Sequence, residues 1–371
     1  MKYRIAYVIS SFMRCGPINM LYSLVSNLDR DLFEIHCVTF KREPRDSRLA
    51  DFLALGVIVH QVSCGEGNLH IDEGSKVRKA LREISPDIVH AHGPWADYFV
   101  SKETGISTVM NIHNKLDEDY VPLYGKLVGT ITAKVDAESI KKATVAVSVS
   151  DSVASVVGER YGIASRVIIN GVNTSVYHPL DIEGKKSVRR ELAIPESDVV
   201  YLHVGNMIER KRPDFIIEAF NSWQSSHNSA AQLVFLGDGP LMDVCRRQAD
   251  GNDRIRFMGK VENVVSWCQA ADVMVSATTS DGMSMATLEG LACGLRMVMS
   301  DIDVHREIKR RHRLTDEDFS IARLDSFEYA VCFERVYLGG HRKNGVNLPD
   351  LSASRMADEY ADLYQSLARA R

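Results

Sequence analysis

The sequence lacks a long uncharged apolar segment of the kind that forms a membrane-spanning helix. Such a helix needs about 18 or more consecutive apolar residues, and no run within these 371 residues approaches that length. The first segment, Met1 to Ile9, predicts a short strand and has too few apolar residues for a signal peptide. We therefore expect a cytoplasmic protein, with any membrane contact peripheral and on the inner face of the cytoplasmic membrane.

Cysteine is scarce and shows no ligand or disulfide pattern. The seven cysteines are scattered, odd in number and never spaced as CxxC. Zinc sites and the disulfide frameworks of small secreted domains use paired cysteines at regular spacings. The cysteines are therefore expected to be reduced residues in or near the core.

Neither sign of charge dominates, because 45 Lys and Arg stand against 49 Asp and Glu, for a net charge of −4. Proteins that bind nucleic acid usually carry a basic surplus, so we expect no nucleic-acid partner. The GxGxxG motif of dinucleotide-binding enzymes is also missing after the first predicted strand. Its absence disfavours a nicotinamide-dependent dehydrogenase.

The chain does contain a regular alternation of short β-branched runs and helical patterns. This alternation predicts the α/β class, with mostly parallel sheets covered by helices. The pattern restarts after Pro179 and the charged segment Glu183 to Arg190, and the chain is longer than one hydrophobic core usually supports. We predict two doubly wound domains with a boundary near residues 175–180. A final helical pattern, Ser352 to Arg371, is predicted to return to the first domain.

The most informative segment is Thr279 to Glu289, which holds two carboxylates, Asp281 and Glu289. Gly282 predicts a turn into a helix that Gly294 would end, so that Glu289 lies about two turns inside it. The backbone N–H groups at the start of such a helix attract an anion such as a diphosphate. The two carboxylates could then accept hydroxyl groups on either side. A nucleotide sugar offers that combination of groups.

An ordered set of segments across nearly the whole chain resembles the retaining glycosyltransferases of family 4, the glycosyl transferases group 1. The segments that carry the resemblance are Asp87–His92, Ile169–Asn173, Val204–Lys211, Gly237–Leu241, Phe257–Gly259 and Asp281–Glu289. The resemblance implies the GT-B fold, in which two Rossmann-like domains face a central cleft. It implies an acceptor-binding domain over 1–175, a donor-binding domain over 176–350, and a helix over 351–371 that crosses back.

The resemblance also implies roles for individual residues. Glu289 would bind the ribose hydroxyls of the nucleotide, and Lys211 would neutralise the diphosphate leaving group. The remaining donor-binding candidates share loop positions close to the diphosphate or the sugar; they are Gly16, Asn206, Arg210, Gly259, Gly282, Met283 and Ser284. His113 and Asp281 would lie near the donor sugar and, with Lys211, form the catalytic group. His92 is the candidate on the acceptor side.

Three positions depart from the family pattern. Asp281 stands where the family usually has Glu, and Asn206 where it often has Arg. Cys15 replaces one glycine of the usual Gly-Gly turn before Gly16. A helix-terminal role is nearly as well supported for Asp281 as a role at the sugar.

We expect neither a cofactor nor a metal ion. Asp301 and Asp303 have the Asp-x-Asp form that other glycosyltransferases use for a divalent cation, but they follow a strand of the second domain and fit a turn or cap better.

The expected function is retaining transfer of a sugar from a nucleoside-diphosphate sugar to an acceptor hydroxyl, in cell-surface polysaccharide, lipopolysaccharide or glycolipid assembly. The acceptor would be a saccharide or a lipid-linked saccharide. The basic segments Lys76–Lys79 and Lys309–Arg313 could contact an anionic membrane surface. Two alternatives stay open: a sugar-nucleotide epimerase on the same fold, and a non-catalytic nucleotide-sugar-binding or scaffold protein.

Overall fold

The computed structural model describes residues 2–62, 72–103, 105–225, 230–339 and 351–370. The chain divides into two compact units. The first unit combines Met1–Gly171 with Ser352–Arg371, and the second unit is Val172–Leu351. The division falls a few residues before the expected boundary at 175–180. Among the predicted core cysteines, Cys64 lies outside the described residues, and the others are free thiols.

The first unit is built on a parallel sheet that has seven strands in the described residues. In chain order these are β1 Tyr3–Ile9, β2 Phe33–Thr39, β3 Ile58–Gln61, β4 Ile88–His92, β5 Ser107–Ile112, β6 Val145–Ser148 and β7 Ser165–Val167. Their spatial order is β3-β2-β1-β4-β5-β6-β7. Central strands such as β1 and β4 are buried along most or all of their length because helices cover both faces of a parallel sheet.

The second unit repeats this design with six strands in its described part. They are β8 Val199–Val204, β9 Ala231–Leu236, β10 Ile255–Gly259, β11 Val273–Ser276, β12 Arg296–Ser300 and β13 Phe319–Ala322. The spatial order β10-β9-β8-β11-β12-β13 is that of a Rossmann-like sheet. The predicted pair of doubly wound sheets is confirmed.

Helices connect the strands in both units. They are α1 Gly16–Asn27, α2 Leu49–Ala54, α3 Glu73–Ile84, α4 Pro94–Val100, α5 Leu116–Tyr124, α6 Lys126–Ile140, α7 Asp151–Tyr161, α8 Ile182–Glu191, α9 Pro213–Ser225, α10 Met242–Gln248, α11 Val264–Ala270, α12 Met285–Ala292, α13 Asp303–Arg311, α14 Ser326–Leu338 and α15 Ala353–Arg369. A 3-10 turn spans Glu209–Lys211. Within the described ranges, no helix is both long and apolar enough to cross a bilayer.

The charged segment after Pro179 forms helix α8. Asp181 caps this helix by accepting a hydrogen bond from the N–H of Gly184 at 2.7 Å. Arg189 is buried and pairs with Asp272 at 2.6 Å. The helix therefore packs one of its cations into the second unit.

The terminal helix α15 returns to the first unit, as predicted, and is fixed there by buried hydroxyl groups. The Tyr364 hydroxyl lies 3.0 Å from the Tyr7 hydroxyl and 2.7 Å from Nδ1 of His90. The Tyr360 hydroxyl donates to Oδ1 of Asn111 at 2.6 Å, and the same oxygen lies 3.1 Å from Nε2 of His90. The network joins α15 to strands β1, β4 and β5.

The stability of the protein should fall as the solution is acidified below pH 6.5. Burial lowers the pKa of His90 to about 3 and of His113 to about 4, against about 6.5 in the unfolded chain. Between these values the unfolded state binds more protons, so the free energy of unfolding rises with pH and is lost on acidification. Each such histidine contributes about 2 kcal/mol between pH 6.5 and 5. Urea unfolding at pH 7 and pH 5 measures the loss, and His90→Gln should reduce it; an unchanged difference would contradict this cause.

Candidate functional site

The sheet of the second unit reverses its strand order between β8 and β11. In open parallel sheets, ligands bind beyond the carboxyl ends of the strands at such a point of reversal. The loop after β8 contains Lys211, and the loop after β11 contains Asp281. The fold therefore brings together two residues that are 70 positions apart in the sequence.

Arg210 links these two loops through its backbone and its side chain. Its carbonyl oxygen accepts hydrogen bonds from the N–H of Thr279 at 2.9 Å and from the Thr278 hydroxyl at 3.3 Å. Its guanidinium group donates to the carbonyl oxygen of Ser280. In this structure the Arg210 side chain therefore positions the loop that follows β11.

Lys211 and Asp281 form a shielded ion pair. The Nζ atom of Lys211 lies 2.5 Å from Oδ2 of Asp281, and the two side chains are 17% and 14% exposed. Burial alone would raise the pKa of Asp281. The charge and hydrogen bond of Lys211 lower it by more than burial raises it, so the pKa of Asp281 lies below its ordinary value. At neutral pH the site thus holds a carboxylate and a cation in contact.

Asp281 is part of the loop and does not cap the following helix. Its Oδ1 atom accepts a hydrogen bond from the N–H of Gly282 at 3.0 Å. The cap of α12 is Ser284, whose hydroxyl accepts from the N–H of Thr287 at 3.3 Å. The helix starts at Met285, so the expectation that Glu289 lies two turns inside was wrong. It lies just over one turn inside.

Glu289 is buried on α12, with only 8% of its surface exposed. Its carboxylate is hydrogen-bonded to the hydroxyl of Tyr177, and burial together with this nearby charge raises the pKa of Tyr177. Tyr177 follows the segment Ile169–Asn173 that carried part of the resemblance, and its N–H donates to the carbonyl of Asn173 at 2.8 Å. That segment therefore places an aromatic hydroxyl against the predicted ribose-binding carboxylate.

Two buried histidines near the ion pair were missed at the sequence level. Nδ1 of His203 lies 3.1 Å from the carbonyl of Val275, and Nδ1 of His305 lies 2.7 Å from the carbonyl of Ser300. Since a carbonyl only accepts, Nδ1 carries the proton in both rings and Nε2 is left as an acceptor. Neither Nε2 atom has a hydrogen-bond partner within the described part of the chain. Burial lowers both pKa values to about 4, so both rings are neutral beside Lys211.

The comparisons with known proteins identify the family of the chain. The description "Glycosyltransferase Family 4" matches residues 16–176, and "Glycosyl transferases group 1" matches residues 198–336. The chain belongs to glycosyltransferase family 4. The described folds of its two units are those of GT-B enzymes, as its structural neighbours show.

Two relatives of this family-4 chain have names that state a role. It is 27% identical to TuaC of Bacillus subtilis, named for teichuronic acid biosynthesis, over 60% of this chain and 54% of TuaC. It is 21% identical to the O-antigen biosynthesis glycosyltransferase WclY of Escherichia coli, with 99% of each chain covered. The chain thus spans about half the length of the first of these relatives and nearly all of the second.

Among solved structures, Anabaena HepE in complex with UDP and glucose superposes with a TM-score of 0.78 at 14% identity, covering 98% of this chain and 100% of that one. WaaG, a glycosyltransferase involved in lipopolysaccharide biosynthesis, superposes with a TM-score of 0.70 at 14% identity, covering 99% and 98%. At such low identity these structures establish the fold of the family-4 chain and nothing finer.

Two glycines of a predicted family-4 landmark serve backbone packing. Gly237 and Gly239 have φ values of +128° and +158°. A Cβ atom at Gly237 would lie 2.0 Å from the carbonyl oxygen of Gly205, and one at Gly239 would lie 2.6 Å from that of Met207. These glycines let the loop after β9 press against the loop after β8, next to the exposed Asn206. Gly259, by contrast, faces open space.

The first unit holds three predicted residues, Gly16, His92 and His113, which lie at or just beyond the carboxyl ends of β1, β4 and β5. Gly16 begins α1, with Pro17 in the first turn, where its missing N–H costs nothing. Nδ1 of His92 lies 2.8 Å from Nε2 of His113, and burial lowers the pKa of both rings. Nε2 of His92 has no partner among the described residues. The fold thus joins the acceptor-side candidate to the candidate near the donor sugar.

The Asp-x-Asp pair of the second unit is bound by an arginine. Nε of Arg306 lies 2.7 Å from Asp301, and Nη1 of Arg306 lies 3.1 Å from Asp303. Across the residues that the structure describes, no three His, Cys, Asp or Glu side chains are grouped as metal ligands. Asp301 and Asp303 therefore belong to an ion-pair cluster with Arg306 at the start of α13.

Proposed function

We propose that this protein is a retaining glycosyltransferase that transfers a sugar from a nucleoside-diphosphate sugar to an acceptor hydroxyl, in cell-surface polysaccharide or glycolipid assembly. The observation that carries the proposal is the Lys211–Asp281 pair at the strand reversal of the second unit, with Glu289 on the adjoining helix. Two findings support the choice of a nucleoside-diphosphate sugar as donor: the chain belongs to a glycosyltransferase family, and its structural neighbour HepE was solved with UDP and glucose.

In the proposed reaction, the ammonium of Lys211 passes from Asp281 to the arriving diphosphate. The cation then stabilises the charge that builds on the leaving group. The carboxylate of Asp281, released from Lys211, accepts a hydroxyl of the donor sugar. Glu289 accepts the ribose hydroxyls in a charge-assisted pair of hydrogen bonds.

The retaining outcome follows from attack on the same face from which the diphosphate leaves. The bond between the anomeric carbon and the phosphate oxygen breaks, and the acceptor oxygen bonds to that carbon. The acceptor proton passes to the departing phosphate. We propose that this chemistry uses no metal ion and no cofactor, since Lys211, Arg210 and the loop before α12 supply the positive groups.

Incubation of donor sugars with and without candidate acceptors, followed by mass spectrometry, tests the function. A transferase gives a glycosylated acceptor, and an epimerase gives an isomerised sugar without acceptor. A scaffold protein gives neither product. A thermal-shift screen of nucleotide sugars selects the donors for this assay, because a ligand that binds the native state raises the melting temperature.

Gly16→Ala should weaken donor use and leave the fold intact. Apart from its chain neighbours and the backbone of its own helix, no atom of the described residues lies within 4 Å of a Cβ placed at Gly16, so the added methyl group meets no clash there. If the diphosphate or sugar approaches this backbone, the methyl group occupies that space, and we expect kcat/KM to fall about tenfold or more. Steady-state kinetics and a melting curve measure the two effects. Unchanged kinetics would remove Gly16 from the donor site.

The proposed setting is the inner face of the cytoplasmic membrane, where lipid-linked saccharides would be acceptors. The basic segments that suggested this contact are partly neutralised in the structure. Lys76 pairs with Asp72 at 2.8 Å, and Arg311 pairs with Glu307 at 3.0 Å. Lys309 is paired with Asp316. These pairs weaken the attraction of both segments to anionic lipid.

A further inference from the structure

Helices α5 and α6 expose a group of large apolar side chains on the first unit. Each is between 47% and 75% exposed, and together we name them the α5–α6 apolar surface: Leu123, Tyr124, Leu127, Val128, Ile131 and Val135. Soluble proteins usually expose such residues singly. A cluster of them on one helical hairpin therefore indicates an interaction surface.

The apolar residues of α6 lie on its outer face. Leu127, Ile131 and Val135 are spaced by four residues, which stacks them along one side of a helix. The opposite side of α6 is buried, and Gly129 is part of it. A Cβ atom at Gly129 would lie 2.5 Å from the carbonyl oxygen of Tyr120 in α5, so the two helices pack closely there. One side of α6 is thus packed against α5. The side that faces solvent carries apolar residues, where polar ones are usual.

The charges within this surface are basic, and beyond its end on α6 Glu138 is paired with Lys141 at 2.7 Å. Between Val121 and Val135 the sequence contains no Asp or Glu, but it contains Lys126 and Lys134, both of which are exposed. The acidic side chains of α5 lie at its other end, where Asp117 pairs with Arg160 at 2.5 Å. A helix face with apolar residues flanked by lysines matches the composition of segments that lie in the interface of an anionic bilayer.

We propose that the α5–α6 apolar surface docks onto an anionic lipid bilayer. The apolar side chains enter the boundary between headgroups and acyl chains, and the two lysines extend along them to reach the phosphates. A second copy of the chain is a poorer occupant, because a twofold contact would bring the same lysines of both copies together. The inference rests on the membrane setting of the proposed function and assigns that contact to a defined surface, whose binding to lipid requires neither donor nor acceptor.

Cosedimentation of the full chain with vesicles tests the proposal. We expect binding to phosphatidylcholine vesicles that contain phosphatidylglycerol, and much less binding to pure phosphatidylcholine. The double variant Leu127→Glu/Ile131→Glu should bind at least about tenfold more weakly, since the apolar burial is lost. Ile182→Glu is the matched control, because Ile182 is also 75% exposed but lies on α8 of the second unit. It should bind as the wild type does.

The charge contribution is tested with Lys126→Ala/Lys134→Ala, which should abolish the preference for anionic vesicles, whereas Lys76→Ala/Lys79→Ala should preserve it. Melting curves verify that each variant is folded, and calorimetry of nucleotide-sugar binding without lipid reports separately on the proposed function. Absence of wild-type binding to anionic vesicles would overturn the proposal. So would normal binding by the Leu127→Glu/Ile131→Glu variant, or a wild-type dimer in sedimentation that this variant dissociates without any lipid binding.

Discussion

Replacement of Lys211 by methionine is expected to lower the rate of sugar transfer by about 100- to 1,000-fold. Methionine retains much of the side-chain length but removes the cation that would stabilise the departing diphosphate, and losses of this size follow removal of one electrostatic donor. Since Lys211 also neutralises the shielded Asp281, the variant should lose about 1–3 kcal/mol of stability. Single-turnover kinetics and urea unfolding measure the two effects.

Lys185→Met is the matched control for this loss. Lys185 pairs with Asp272 at 2.8 Å, but at the amino end of β11, away from the strand-end loops. Its loss should affect stability and leave kcat near the wild-type value. Lys211→Met/Asp281→Asn should regain the stability that Lys211→Met loses, because no unpaired carboxylate remains, but it should not regain activity. A wild-type transfer rate in Lys211→Met would exclude Lys211 from leaving-group stabilisation.

Glu289→Gln is expected to weaken nucleotide-sugar binding by about 10- to 100-fold. Glutamine keeps the shape of the side chain but replaces a carboxylate, and hydrogen bonds to a charged group contribute about 1.5–3 kcal/mol. Isothermal titration with the donor found in the thermal-shift screen measures the change. Tyr177→Phe removes the hydroxyl next to Glu289 and should bind the donor almost as the wild type does.

Glu307→Gln controls for the loss of a buried carboxylate elsewhere in the same unit. Glu307 is 2% exposed and pairs with Arg311 at 3.0 Å. Its replacement should lower the melting temperature with little change in donor affinity. Equal donor affinity in Glu289→Gln and wild-type protein would contradict the assignment of Glu289 to the ribose.

The sequence predicted the sheets well because buried parallel strands leave a strong apolar signal. The apolar run Val273–Ser276 predicts β11 to the residue. The runs Arg4–Ile9, Ser107–His113 and Gln232–Gly237 predict β1, β5 and β9 to within one residue at their ends. The sequence gives a weaker signal for β3, which is short and partly exposed, and for α8, whose residues are mostly charged. Asp181 is a standard N-cap residue, and it is the signal in the sequence that marks the start of α8.

The candidate site was predictable as a set of residues and not as a set of contacts. Family resemblance indicated Lys211 and Asp281, but only the strand order places β8 beside β11 and so pairs them. His203 and His305 carry no local motif, and their relevance depends on the carbonyl groups that fix their ring protons. Tyr177 had one usable signal, its position four residues after the segment Ile169–Asn173 that resembles the family.

The return of α15 to the first unit has a consequence for biosynthesis. Tyr364 is 357 residues from Tyr7 and 274 residues from His90, its two hydrogen-bonding partners. Ribosomes deliver the chain from its amino end, and domains usually begin to fold as they emerge. The first sheet must therefore wait for the whole second unit to be translated before its buried tyrosine–histidine network can close. The unit that is synthesised first is the one that is completed last.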